Sequence, residues 1–378
     1  MKIKVLFAVL VVATLLAPPT WSQVLSIAEG WRWPQEPTAQ DPQPNVFTEP
    51  PGPPVDRPAA WPGEPLSVWL TRPREEVRFL EGDWHLLLQK IEELGSVGVV
   101  SGNSAIRHFA VGSYAPYRIG VDAWGAVEGE GIDLRVLPKN WAYAAAELPV
   151  KSYPAGFAFF DESGALAQRI ILPDSSLHAF RSLVEEFYGS RPEFVGRPIV
   201  EAATRDTTVP GSISGLLDAW ALLKDEHDFE QMLSLHNVSR LDALKAAEGK
   251  FTERLDLASF PTLFLKLVLQ QVPISVFTVN SGCVQISTGT LAEVNVRPGL
   301  LDLKQSDNGS TLISLSRIAE AWRVSKPTSR GTELSLELYG SSGEPLAYFF
   351  GSRNGREDAI AKWRETLSAL STSATVPK

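Results

Sequence analysis

The sequence predicts an α+β fold of two tandem repeats, each with a large antiparallel β-sheet and helices grouped at the sheet's ends. Three observations predict it. Segments of like character recur at a near-constant offset, each half opens and closes on a helical pattern with strand-like stretches between, and strands and helices nowhere alternate as βαβ units. Asn103-Ser104-Ala105-Ile106 lies 177 positions before Asn280-Ser281-Gly282-Cys283, and FDESGALAQRII from Phe160 lies 179 positions before YGSSGEPLAYFF from Tyr339. In the second pair a Ser-Gly turn separates two apolar runs, which is the pattern of a β-hairpin.

Taken in order, the chain begins with Lys2 and Lys4, an apolar run from Val5 to Ala17, and then Pro18-Pro19-Thr20-Trp21-Ser22. Residues 1–22 therefore read as an export signal cut after Ser22. The apolar run is thirteen residues, short of the roughly 20 that a spanning helix needs, so no stable membrane span is expected once the signal is cleaved. Residues 23–75 read as a spacer, because twelve of the 28 prolines fall between Pro34 and Pro73, fixing φ and removing backbone donors. A first repeat is expected over 76–205, a second over 206–373 and a short tail over 374–378.

Within the first repeat, WHLLLQKIEELG and HAFRSLVEEFYG carry helical spacing. The second opens on SGLLDAWALLKDEHDFEQMLSLHNVSRLDALKAAEG, which suits three successive helices broken near Asp225 and Asn237, with Ser239 capping the third. It closes on the helical pattern EDAIAKWRETLSAL. Strands are expected at ISVFTVN, VQIST, SLSRIAEAWRVSK, LSLELYG and LAYFFG.

Composition removes several function classes. A net charge of −9 gives no overall attraction to nucleic acid or anionic lipid, so nucleic acid is not an expected partner and any anionic ligand must be met by local Arg and Lys. The single cysteine, Cys283, excludes a disulfide framework and any CxxC metal site, and the five histidines are scattered. Cys283 sits in the apolar strand pattern SGCVQIS, which reads as a buried structural thiol. There is no G-x-S-x-G elbow for a serine nucleophile.

Three separated stretches of the second half resemble the HemS/HmuS (HemS/ChuX-type) bacterial haem-utilisation family in order and spacing. They are HDFEQMLSLHNVSRLDALKAAEG, VPISVFTVNSGCVQISTG and AWRVSKPTSRGTELSLELYGSSGEPLAYFFGSR. The first half resembles that family's first repeat through ELGSVGVVSGNSAIRHFAVGSY, GIDLRVLPKNWAYA and FAFFDESGALAQRIIL. The resemblance implies haem as ligand or substrate, bound in a cleft between the repeats. It implies His227, which opens the HDF motif, as the axial ligand of the haem iron. On the residues alone, a histidine at a helix start is a surface or capping group. The resemblance further implies Arg135, Arg240, Lys326 and Arg353 as donors to the haem propionates, with Tyr348 and Phe350 lining the cleft. Ser287 stands where relatives usually carry His, Leu137 where they carry an aromatic, and NSAIRHF where they carry an NEHAV-like run.

With an export signal, the expected role is to carry or store haem in the periplasm or outside the cell, with envelope haem-transport proteins as partners. A haem-degrading enzyme is the alternative. It needs in addition an electron source, and no flavin or nicotinamide motif is visible. A third reading is a different ligand or a protein partner.

Overall fold

The computed structural model describes residues 63–120, 124–149, 155–172, 176–195, 212–225, 228–306, 309–329, 331–352 and 357–372. The expected export signal at residues 1–22, most of the expected spacer, His227 and Arg353 lie outside the described residues.

The first half runs through α1 (Leu66–Trp69), β1 (Val77–Leu80), α2 (Trp84–Ile91), β2 (Ser96–Gly102), β3 (Ile106–Ser113), β4 (Tyr117–Ile119), β5 (Gly125–Gly129), β6 (Ile132–Val136), β7 (Tyr143–Glu147), β8 (Gly156–Phe160), β9 (Leu166–Ile171) and α3 (Leu177–Glu186). The second half opens on three helices, α4 (Ser212–Ala221), α5 (Asp228–Leu235) and α6 (Arg240–Ala246), followed by β10 (Thr252–Arg254) and α7 (Phe260–Leu269). It continues through β11 (Ile274–Val279), β12 (Cys283–Gly289), β13 (Leu291–Arg297), β14 (Leu300–Gln305), β15 (Ser310–Ser314), β16 (Glu320–Thr328), β17 (Gly331–Tyr339), β18 (Pro345–Gly351) and α8 (Glu357–Ser368). All three expected helices at the start of this half form, and the Ser239 side chain caps α6 by accepting from the Asp242 amide.

Two nine-stranded antiparallel sheets result. The first has the order β1-β7-β8-β9-β2-β3-β15-β14-β13 and the second β10-β16-β17-β18-β11-β12-β6-β5-β4. Each half thus builds six strands of its own sheet and lends a three-stranded meander to the other. The joins are β3 to β15, with Ile106 opposite Ile313, and β12 to β6, with Cys283 opposite Val136.

The duplication is written into the hydrogen bonds at the pseudo-twofold axis. Asn103 donates to the carbonyls of Val279 and Leu346, while Asn280 donates to those of Gly102 and Ala167. Donors and acceptors in the two sets are related by the same offsets of 177 and 179 positions that the sequence shows. The contact between sheets repeats the symmetry: Ser101 of β2 bonds Gln285 of β12, and Thr278 of β11 meets His108 of β3 at 3.3 Å. Burial pushes His108 down to about 3, so it is a neutral core polar group at physiological pH. Cys283 is fully buried as expected, with burial pushing its thiol up to about 12.

The spacer is shorter than its proline content suggests. Leu66 and Trp69, three apart on α1, are buried against Ala158 and Phe160 of β8, so the folded body already includes α1 and the expected boundary at residue 75 is corrected. Proline at position 65 starts this turn without interrupting it. On the same side of the first sheet, Glu147 is held between Arg72 and Arg169.

Candidate functional site

The outer face of the second sheet carries most of the residues singled out by the sequence. Register alone aligns one row across five strands and the exchanged strand β6: Trp322, Glu337, Tyr348, Phe277, Ile286 and Asp133. Residues directly opposite one another point to the same face. Arg135, two positions from Asp133, shares that face and sits opposite Val284. Phe350, two positions from Tyr348, and Lys326, two from Val324, extend it. Helices α4 to α6 pack over this face, contributing Trp220, Phe229 and Leu244 to the same buried cluster as Phe277, Tyr348 and Phe350.

The electrostatics are concentrated at the two ends of the row. At one end Arg240, just past its Ser239 cap, donates from Nε and Nη2 to the two oxygens of Glu337 at 2.9 and 2.7 Å, and from Nη1 to Glu230. This is the fork geometry that a guanidinium makes and an ammonium cannot. The guanidinium is sandwiched between the rings of Phe229 and Tyr348, 4.9 and 4.7 Å from their centres. Glu337 also accepts from the Tyr339 hydroxyl at 2.9 Å and from Ser335 at 3.1 Å. Burial alone would push its carboxyl up, but the charge and hydrogen bonds of Arg240, then Lys326 and Tyr339, outweigh it and hold the group below the ordinary carboxylate value.

Lys326, about 1 % exposed, points its ammonium at Phe229, 4.5 Å from the ring centre, with Phe350 at 5.8 Å. Burial, the largest cause, raises both Tyr339 and Tyr348, which therefore stay as neutral phenols.

At the other end Arg135 donates from Nη1 to Asp133 at 2.6 Å and to the Leu134 carbonyl at 2.8 Å, with Glu128 3.6 Å from Nη2. Burial pushes Asp133 up to about 6 in spite of Arg135. Strand exchange is what places this first-half arginine here. Three strand spacings separate β6 from β18, about 14 Å across the sheet, and that span is floored by Tyr348, Phe277 and Ile286.

Five sequence-derived residues thus share one face: Arg135, Lys326, Tyr348 and Phe350 from strands, and Arg240 from a helix lying on them. His227 immediately precedes α5 in the chain and Arg353 follows Ser352 at the end of β18. Four residues were missed: Glu337, Glu230, Tyr339 and Phe229. The signal for two of them was present in LSLELYG, where strict alternation puts Ser335, Glu337 and Tyr339 on one face of a central strand.

Comparison with known proteins places this architecture. The family described as "Haemin-degrading HemS.ChuX domain" matches residues 67–187 and 237–370. The chain belongs to that family. It is similar to the hemin transport protein HemS of Yersinia enterocolitica, 27 % identical over 305 residues that cover 79 % of this chain and 87 % of HemS. Among solved structures it resembles holo-PhuS, a heme-binding protein from Pseudomonas aeruginosa, at 26 % identity and a TM-score of 0.66, covering 79 % of this chain and 88 % of PhuS. It also shares the fold of ChuS, an E. coli heme oxygenase, at 23 % identity and a TM-score of 0.68, with 82 % and 92 % covered. The family match is interrupted between residues 187 and 237, a stretch that contains α4, α5 and His227.

Proposed function

We propose that this chain binds haem on the helix-covered face of its second sheet and carries or stores it outside the cytoplasm. The single observation that supports this most is the row itself: an apolar, partly aromatic floor with an arginine at each end, assembled from both halves of the chain. The donor set suits the ligand. Haem brings a broad apolar ring, two carboxylates and an iron that takes an axial nitrogen. Tyr348, Phe277, Phe350 and Phe229 offer aromatic surface to the ring. Arg135, Lys326 and Arg353 are the cations for the carboxylates, Arg240 being taken up by Glu337 and Glu230, and His227, next to the start of α5, supplies the imidazole. PhuS and HemS, each about a quarter identical over most of the chain, are respectively a heme-binding and a hemin transport protein, which favours the same ligand class here. The basic and apolar leader at residues 1–22 supports export.

Titration of the purified protein with haemin tests the ligand. A Soret band that persists under reductant is expected, whereas its decay into a biliverdin-like product would replace the carrier by the degrading enzyme. His227→Ala should shift or strongly weaken the band and His236→Ala should leave it unchanged, since the HDF motif marks only the former. Equal effects of the two substitutions would reject His227 as the ligand. Export is checked by cell fractionation with N-terminal sequencing: a start near Gln23 outside the cytoplasm is expected, and an intact Met1 start confined to the cytoplasm rejects it.

A further inference from the structure

The first sheet ends at β1, and beside that edge lies an open cavity of about 390 Å³ whose wall includes Arg74, Arg78 and Arg191. None of these three guanidinium groups is ion-paired among the described residues. Arg78 reaches only the carbonyl of its neighbour Val77, at 3.5 Å, and Arg191 donates to the carbonyls of Leu70 and Arg72. Arg191 is further steadied 5.5 Å above the Phe79 ring, so its position is set before any ligand arrives. The one carboxylate in the wall, Glu81, accepts from the amide and hydroxyl of its wall neighbour Ser190 at 2.7 and 2.8 Å, against three guanidinium groups in the same wall. Gly189 permits that, because a Cβ there would lie 2.2 Å from the Glu81 side chain. Tyr188, 57 % exposed, stands at the rim.

The duplicated half supplies an internal comparison. The bridge between Leu80 and Tyr188 is repeated as the bridge between Leu255 and Thr372. Arg78, two residues before Leu80, therefore corresponds to Glu253, two before Leu255. Glu253 lies opposite Arg323 and is ion-paired with it, whereas Arg78 lies opposite Ala146. One repeat neutralises this edge and the other leaves it cationic, in a chain whose net charge is −9.

We propose that the cavity at the β1 edge binds a small multivalent anion, one carrying two or more carboxylate or phosphate groups. Paired planar guanidinium groups recognise such oxyanions bidentately, and the volume falls within the range of small-molecule sites, roughly 300–1,000 Å³. The site is on the opposite sheet from the face described above and does not depend on it.

Isothermal titration of the full chain with citrate and, separately, with inorganic pyrophosphate at low ionic strength tests this. One saturable site is expected for at least one probe, and the Arg74→Gln/Arg78→Gln variant, checked by circular dichroism, should weaken it at least tenfold while haemin titration is unchanged. Citrate alone would assign a carboxylate ligand and pyrophosphate alone a phosphate ligand. No saturable binding of either at millimolar concentration, or undiminished binding by the double variant, overturns the proposal.

Discussion

Glu337→Ala should lower the stability of the folded protein by about 3–5 kcal/mol, the usual cost of breaking a buried ion pair from one side. The carboxylate is fully buried and receives two hydrogen bonds from Arg240 and one each from Tyr339 and Ser335. Without it, Arg240 loses its bidentate partner while still facing Glu230, and Lys326 loses the opposite charge that acts on it. Arg240→Met together with Glu230→Gln in the Glu337→Ala background should recover much of the loss, because removing the three buried charges together also removes the penalty that the single variant exposes. The sign with pH is fixed by the lowered carboxyl. Its contribution is complete above the unfolded value, about 4.3, and disappears as pH falls through the lower folded value. Denaturant melts at pH 7 and below pH 4 check both points, with the gap between wild type and Glu337→Ala narrowing in acid. A loss under about 1 kcal/mol at pH 7, or a gap that widens in acid, would show that Glu337 does not hold this end of the face.

Much of this architecture was legible because it is local or repeated. Helices α4 to α6 follow from apolar spacing and the Ser239 cap, and the offsets of 177 and 179 positions reappear atom for atom in the Asn103 and Asn280 hydrogen bonds. The exchange of β4 to β6 for β13 to β15 was not legible, since a meander's own alternation says nothing about which sheet it joins. Strand β13 shows why even its existence was hidden: of its seven residues only Leu291 is buried. Helix α7, FPTLFLKLVL, went unread because a short apolar run does not distinguish a buried helix from a strand. Glu337 was overlooked for the opposite reason. Its place in LSLELYG is the one a solvent-facing carboxylate takes, and only the non-local covering by α4 to α6 turns that face into an interior.

Because the exchanged strand β6 brings Arg135 to the second-half sheet, haem affinity should depend on both halves at once. Arg135→Gln and Lys326→Gln should each weaken haemin binding about ten- to a hundredfold, since charge-assisted hydrogen bonds to a carboxylate contribute about 1.5–3 kcal/mol each. The two sit on strands well separated across the sheet, so their losses should combine nearly additively in free energy. Neither acts on the iron, so the Soret maximum should stay near that of wild type, unlike the His227→Ala result. The fold should tolerate the change at Arg135. Burial already pushes Asp133 up to about 6, and removing its cation raises it further, so the carboxyl takes a proton instead of remaining buried and charged. Arg135→Lys keeps the charge but not the fork, and should recover part of the affinity. Haemin titrations of the four variants, including the double, decide the matter. A loss confined to Lys326→Gln would mean that Arg135 serves only its pairing with Asp133 and Glu128, and that the first half contributes a strand to the site but no ligand contact.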